Sequence, residues 1–332
     1  MNNRGWTRSE SPFHKGERAL QAMAGVLAQV DAQGRRMICE YLIEQHRQFF
    51  AQLSYVFIGS IDPSGDLWTS VLIGTPGFLS TPDEYTLRVP TQLLPGDPLA
   101  HLLSLGPDML GCDVGVMGIV LATRRRNRIS GTVSRLDATG FDIRVSQSFG
   151  NCPQYIQSRE IVDEPPILDP TALDAEVSPQ VFEMTSLSES AHSLITAADT
   201  FFISTAYQAR SAGRPALAGG TSGVDVSHRG GKPGFVGVDG NTLTIPDYAG
   251  NNHFSTLGNV LLNPKAGLLF IDFESGGLLY LTGTAEVIWE GPEVAEHEWA
   301  HRLLRFQVVR GYFVKGSLPL RWSAPEFSPF LR

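Results

Sequence analysis

The stretch GGTSGVDVSHRGGKPGF, residues 219–235, brings a hydroxyl, a guanidinium and an ammonium close together at Ser227, Arg229 and Lys232. Arginine can fork onto phosphate oxygens, lysine adds a point charge, and serine donates a hydroxyl hydrogen bond. The surrounding glycines let backbone N–H groups approach an anion closely. The set suits a phosphate, although the Gly-Lys-Ser/Thr ending of a Walker A loop is missing. A flexible, solvated loop with incidental charge has the same composition, and composition does not choose between them. Downstream, Asn251, Asn252, His253, Ser255 and Thr256 open a short predicted helix. A helix start offers free amides and a dipole that favour a phosphate.

The densest basic run is TRRRNRISG, residues 123–131. On a strand, Arg124, Arg126 and Arg128 share one face, opposite Arg125 and Asn127. Aligned arginines can close on an anionic group, or they can guard an exposed sheet edge. QSFGNCPQYIQ, residues 147–157, offers Gln147, Ser148 and Asn151 as hydrogen-bonding groups, or simply turns the chain. Cys152 has no histidine partner in this motif, so it reads as a structural thiol. HEWAH, residues 297–301, matches a zinc-protease pattern in which His297 and His301 share a helical face and Glu298 is the base. The pattern is short and no third ligand follows, so zinc hydrolysis is only a remote alternative. Trp68 is the tryptophan selected as a stacking platform, against the commoner fate of a core aromatic.

These residues must be positioned by short strands. Between Tyr55 and Arg144 brief apolar runs alternate with Gly/Pro/Asp turns, and a second β-rich region runs to about Trp289. VGVDGNTLTIP spells a hairpin around Asp239-Gly240-Asn241. The first half carries the same signal: Pro76-Gly77-Phe78 recurs 157 residues on as Pro233-Gly234-Phe235, and Gly131-Thr132 recurs 152 residues on as Gly283-Thr284. Slowly drifting offsets are what loop insertions between two copies of one domain produce. Helices are expected over 35–53, 183–198 and near 292–307. The expected plan is an arm (1–34), a first domain (35–158), a Pro- and acid-rich linker (159–182), a second domain (183–325) and a tail (326–332).

Size and composition bound the rest. The 332 residues allow two domains, each with its own core. The net charge of −8 disfavours generic nucleic-acid binding. No apolar run reaches bilayer length and the N-terminus lacks a signal-peptide core, so a cytoplasmic protein without membrane contact is expected. Three dispersed cysteines form neither a metal spacing nor a disulfide framework.

DVSHRGGKPGFVGVDGNTLTIPDYAGNN, followed by NVLLNPKAGLLFIDF, resembles the pyridoxamine 5'-phosphate oxidase-related, FMN-binding split-barrel family. The resemblance is strong over about 183–290. SPFHKGERALQ, TRRRNRISG and QSFGNCPQYIQ also resemble the N-terminal region of larger flavoproteins, in which tandem split barrels are fused to a reductase module. The resemblance implies a mainly β chain with flanking helices (α+β). It further implies two tandem six-stranded antiparallel split barrels paired as an internal pseudo-dimer, monomeric or dimerising again. One FMN would lie at the interface of the repeats. Ser227, Arg229 and Lys232 would grip its phosphate, with Asn252, Ser255 and Thr256 nearby. Arg126, Arg128, Gln147, Ser148 and Trp68 would meet the flavin from the first half. Ser255-Thr256 stands where family members carry Arg-Lys, and the pyridoxamine-phosphate signature is not evident, so vitamin B6 oxidation is not expected. The implied function is an FMN-dependent oxidoreductase acting on a small molecule. Electrons would come from diffusible NAD(P)H or a separate reductase. A flavin carrier, sensor or partner subunit without turnover is the alternative.

Overall fold

Alternating runs between turn residues become strands because a strand can bury one face while glycine and proline take up the turn angles. The computed structural model describes residues 5–163, 180–207 and 223–331. In the first half β1 (Tyr55–Ile61), β2 (Leu67–Ile73), β3 (Thr86–Pro90), β4 (Asp113–Val120), β5 (Arg125–Asp137) and β6 (Gly140–Gly150) form one antiparallel sheet. Its order is β2-β1-β4-β5-β6-β3. Two short strands follow, β7 (Ile161–Asp163) and β8 (Val181–Met184). The second half contributes β9 (Thr200–Tyr207), β10 (Gly223–Gly230), β11 (Gly237–Asp239), β12 (Thr242–Asp247), β13 (Lys265–Ile271), β14 (Leu278–Ile288), β15 (Arg302–Val314) and β16 (Arg321–Trp322). The order β10-β9-β13-β14-β15-β12 repeats the first sheet strand for strand. Where six strands were expected, this sheet has eight, because β11 extends it beyond β12 and β8 adds to β15.

The helices flank these sheets. They are α1 (Lys15–Met23) and α2 (Leu27–Met37) in the arm, α3 (Glu44–Ala51), α4 (Leu99–Leu103), α5 (Glu189–Ala197), α6 (Ser255–Leu262) and α7 (Pro292–Glu296). None is long and apolar enough to cross a membrane. Three helix expectations are corrected. The 35–53 segment is broken, because Cys39 exchanges backbone hydrogen bonds of 3.0 and 2.7 Å with Ser148 and draws residues 38–43 out of the helix. Residues 181–184 take strand pairing with β15, and α5 starts only after Ser188 caps it. The last helix stops at Glu296, and Arg302 onward is β15. The zinc alternative falls with it. His297 is already extended and Trp299 has φ 67, so His297 and His301 share no helical face. Among the described residues no cluster of His, Cys, Asp and Glu could hold a metal ion. Most of the expected linker, residues 164–179, lies outside the described residues.

The two sheets face each other about a local two-fold axis. Phe57 and Phe202 occupy the same place in the two repeats, and their rings stack on each other at 3.5 Å between centroids and 16°. Contact between equivalent residues requires them to lie on the axis. Gly115 of β4 and Gly267 of β13 are another matched pair. A Cβ on Gly115 would meet the Val224 carbonyl of β10, and one on Gly267 would meet the Leu67 carbonyl of β2. Glycine at both places lets each sheet press its edge strand against the other. The pairing creates two related interfaces, one between β5 and β10, the other between β14 and β2.

Candidate functional site

The interface between β5 and β10 opens into a cleft of about 120 Å³. Residues at i and i+2 on a strand face the same way. β5 therefore sends Arg126 and Arg128 into the cleft, while β10 sends Ser227 and Arg229. The start of α6 brings Ser255 and Thr256, and the loop before it brings Asn252. Seven of the eleven residues expected to hold the flavin thus meet around one cavity, drawn from both repeats.

The cleft carries excess positive charge. Arg128 reaches Asp225 at 3.0 and 3.1 Å and also donates to the Ser227 hydroxyl. Arg229 pairs with Asp247, and Arg302 stands 3.7 Å from the same carboxylate. Among the described residues no carboxylate pairs with Arg126. It donates to the Cys152 carbonyl at 2.9 and 3.2 Å and to the His228 carbonyl at 3.3 Å. Burial, reinforced by Arg128 and Arg229, pulls the Arg126 pKa down to about 9. Four guanidiniums against two carboxylates leave a surplus that a phosphate, at about −1.5 to −2 near neutral pH, would neutralise.

Two histidines add to the same wall. Burial pushes the His253 pKa down to about 4, with Arg128 contributing, and holds His228 well below its ordinary value beside Arg126 and Arg229. Both rings are therefore neutral near pH 7. Neither nitrogen of His253 has a hydrogen-bond partner, nor does Nε2 of His228. Each buried polar atom left unpaired costs about 1–3 kcal/mol, which makes such a concentration a mark of a binding site.

Backbone strain converges on this region. Five non-glycine described residues have positive φ: Arg124, Tyr155, Asn252, Phe254 and Trp299. Asn252 (φ 56) and Phe254 (φ 61) shape the entry to α6, and Tyr155 (φ 63) lies on the cleft wall. A Cβ on Gly230 would collide with the Tyr155 carbonyl, so only glycine at the end of β10 lets this first-half loop lie across it.

The arm closes the inner end. Gln21 donates to the His253 carbonyl at 3.2 Å, and His14 Nε2 lies 2.9 Å from Asn259 on α6. Glu17 is buried beside Ser255 and accepts the His14 amide at 2.8 Å. Burial raises its pKa to about 8.

Four residues singled out from sequence stand elsewhere. Lys232 lies in the turn after β10 and lines a neighbouring cavity. Gln147 donates to the Pro12 carbonyl at 2.8 Å and holds the arm. Ser148 donates to the Tyr41 carbonyl at 2.5 Å, on the side of the strand facing α3. Trp68 is fully buried in the other interface, where its indole donates to Asp62 at 3.0 Å. Sequence reasoning missed Asp225, Asp247, Tyr155 and Tyr248. The first had a signal: Asp225, Ser227 and Arg229 alternate along β10.

Residues 187–311 match the family model described as pyridoxamine 5'-phosphate oxidase. No curated protein matches the chain. Among solved structures, HupZ of Group A Streptococcus aligns at 14% identity and TM-score 0.28, over 37% of this chain and 89% of that chain. A single-residue variant of the same protein aligns at 15% and 0.29, over 38% and 98%. A candidate pyridoxamine 5'-phosphate oxidase from Lactobacillus delbrueckii aligns at 15% and 0.29, over 39% and 94%.

Proposed function

Because the chain belongs, through its second barrel, to the pyridoxamine 5'-phosphate oxidase-related family, we propose that it is an oxidoreductase binding one FMN per chain, with the phosphate in the arginine cleft. The observation that carries this reading is the surplus of buried guanidinium charge, drawn from both repeats, around a small cavity. That cavity has room for roughly four waters at about 30 Å³ each, which suits a phosphate group.

Bound there, the flavin would supply electron or hydride transfer to or from a small-molecule substrate, renewed by diffusible NAD(P)H or a separate reductase. The chain's own residues bind and orient it. Arg126 and Arg229 meet the phosphate oxygens, with Arg128 held beside them by Asp225. Ser255 and Thr256 donate hydroxyl hydrogen bonds, and the first turn of α6 adds its amides. His253, held neutral, has an N–H to give, and His228 presents its unpaired Nε2. The arm keeps bulk water from the inner end. Cys39, Cys112 and Cys152 form no disulfide, which suits a reducing compartment, so we place the protein in the cytoplasm. Titration of the purified protein with FMN tests this reading. Saturable binding that weakens in Arg126→Ala is expected, and binding indifferent to that change would remove the cleft from the account.

A further inference from the structure

The cleft leaves a size problem. A phosphate fits, but a three-ring flavin does not fit in about 120 Å³. A second cavity of about 670 Å³ adjoins it, and the two share Tyr155, Phe235, Tyr248 and Ala249 as common wall. This chamber lies within the range of about 300–1,000 Å³ usual for small-molecule sites.

Beyond that common wall, three segments distant in sequence build the chamber. The turn after β10 gives Lys232. The loop before β15 gives Trp299. The C-terminal tail gives Pro329 and Phe330. The tail is fastened in place: the Ser328 amide donates to Gln157 at 2.8 Å, and Glu326 pairs with Ser158 through two 2.9 Å backbone hydrogen bonds. Arg124 donates to the Glu326 carbonyl at 3.1 Å. In sequence, residues 326–332 read only as a tail.

The chamber walls are aromatic and partly open. Tyr155 and Tyr248 stand 5.2 Å apart, while Trp299 and Phe330 keep 57% and 51% of their surface exposed. Tyr155 and Trp299 both hold positive φ, a conformation that disfavours bulky residues. Strain of about 1–3 kcal/mol persists where the surroundings over-determine it, commonly at ligand clamps. Exposed rings, strained backbone and an adjoining cationic cleft describe the two ends of one ligand site.

We propose that the chamber receives the planar aromatic ring of the molecule whose phosphate occupies the cleft, and that Tyr248, Trp299 and the tail residue Phe330 are its stacking walls. This assignment rests on the FMN reading above. It turns the C-terminal tail from a surface appendage into part of the site, and it gives Lys232 a place beside the ring end rather than the phosphate.

The test is a titration of FMN, and separately of inorganic phosphate, into the wild type, Trp299→Ala and Phe330→Ala. Both altered residues are largely exposed, so the fold should tolerate the changes. Each aromatic removed should weaken FMN by about tenfold, the usual scale for a ring stacked on a base, and leave phosphate affinity unchanged. Flavin fluorescence quenched on binding to the wild type should be partly recovered at saturation in Trp299→Ala. FMN affinity unchanged in both variants, but lost in Arg229→Ala, would reject the chamber and leave the cleft reading standing. Failure of FMN to bind the wild type, with phosphate still bound, would overturn the flavin reading and the ring assignment with it.

Discussion

The two related interfaces have gone opposite ways. Matching registers set Arg128 opposite Tyr280 in the repeat, Arg126 opposite Leu278, Asp225 opposite Trp68, and Arg229 opposite Leu72. A β-bulge at the same place, before Gly131 and before Gly283, confirms the alignment of β5 with β14. One interface has guanidiniums around a cavity. The other has Trp68 and Tyr280, both fully buried. Trp68 stacks on Tyr312 at 5.1 Å, and Arg310, which pairs with Asp62 and Asp66 at 2.6 and 3.0 Å, lies over the indole. The filled interface even has its own anion. Asp97, before α4, accepts the Tyr280 hydroxyl at 3.2 Å and the Leu99 amide at 2.8 Å. In chain order α4 and α6 correspond, so a side-chain carboxylate sits in one repeat where the other opens its arginine-lined cleft. The two interfaces are equivalent in the repeat; bulky side chains fill one, and guanidiniums line the cavity of the other.

The largest effect should separate the two on stability. Trp68→Ala should cost about 3–5 kcal/mol in denaturant unfolding through the cavity it leaves, without changing FMN affinity of the folded protein. A loss of affinity instead would mean the filled interface serves the ligand. Next comes Arg126→Ala. Losing a charge-assisted contact of about 1.5–3 kcal/mol should weaken FMN by roughly ten- to a hundredfold. Stability should hold or rise, because a buried cation without a carboxylate partner is removed. A marked loss of stability would make Arg126 structural. The last effect concerns the arm. Glu17 has its pKa raised to about 8 from 4.5, so the folded state holds a proton that the unfolded chain releases. Its stabilising contribution is complete below pH 4.5 and is lost as pH rises through 8. Glu17→Gln should therefore match the wild type at pH 4.5 and melt about 2–4 °C higher at pH 8, for each kcal/mol recovered. Equal melting at both pH values would show that Glu17 ionises freely.

Much of this organisation is legible in the sequence, for identifiable reasons. The repeated Pro-Gly-Phe turn and the drifting offsets encode the paired sheets, because turn chemistry is local. Arg126 and Arg128 are readable because strand alternation fixes which side chains share a face; Ser227 and Arg229 are readable only as anion-binding residue types among glycines, because nothing in that stretch announces the strand β10 that carries them. Trp68 was misplaced because an apolar aromatic carries no label for which of two equivalent interfaces buries it. Ser148 and Gln147 look like ligand donors, but donors are also what fasten an arm or a helix to a strand. The 35–53 helix failed because its apolar spacing also suits an extended piece pinned by Cys39. The surplus charge could not be counted without knowing that Asp225 and Asp247 are already engaged.

The most direct measurement is the stoichiometry of FMN at saturation, read by absorbance of the flavin retained per chain. The account predicts one flavin per chain in the wild type and in Tyr280→Phe, and far weaker retention in Arg126→Ala. Two equivalent flavins per chain, or one that survives Arg126→Ala and is lost in Tyr280→Phe, would contradict it.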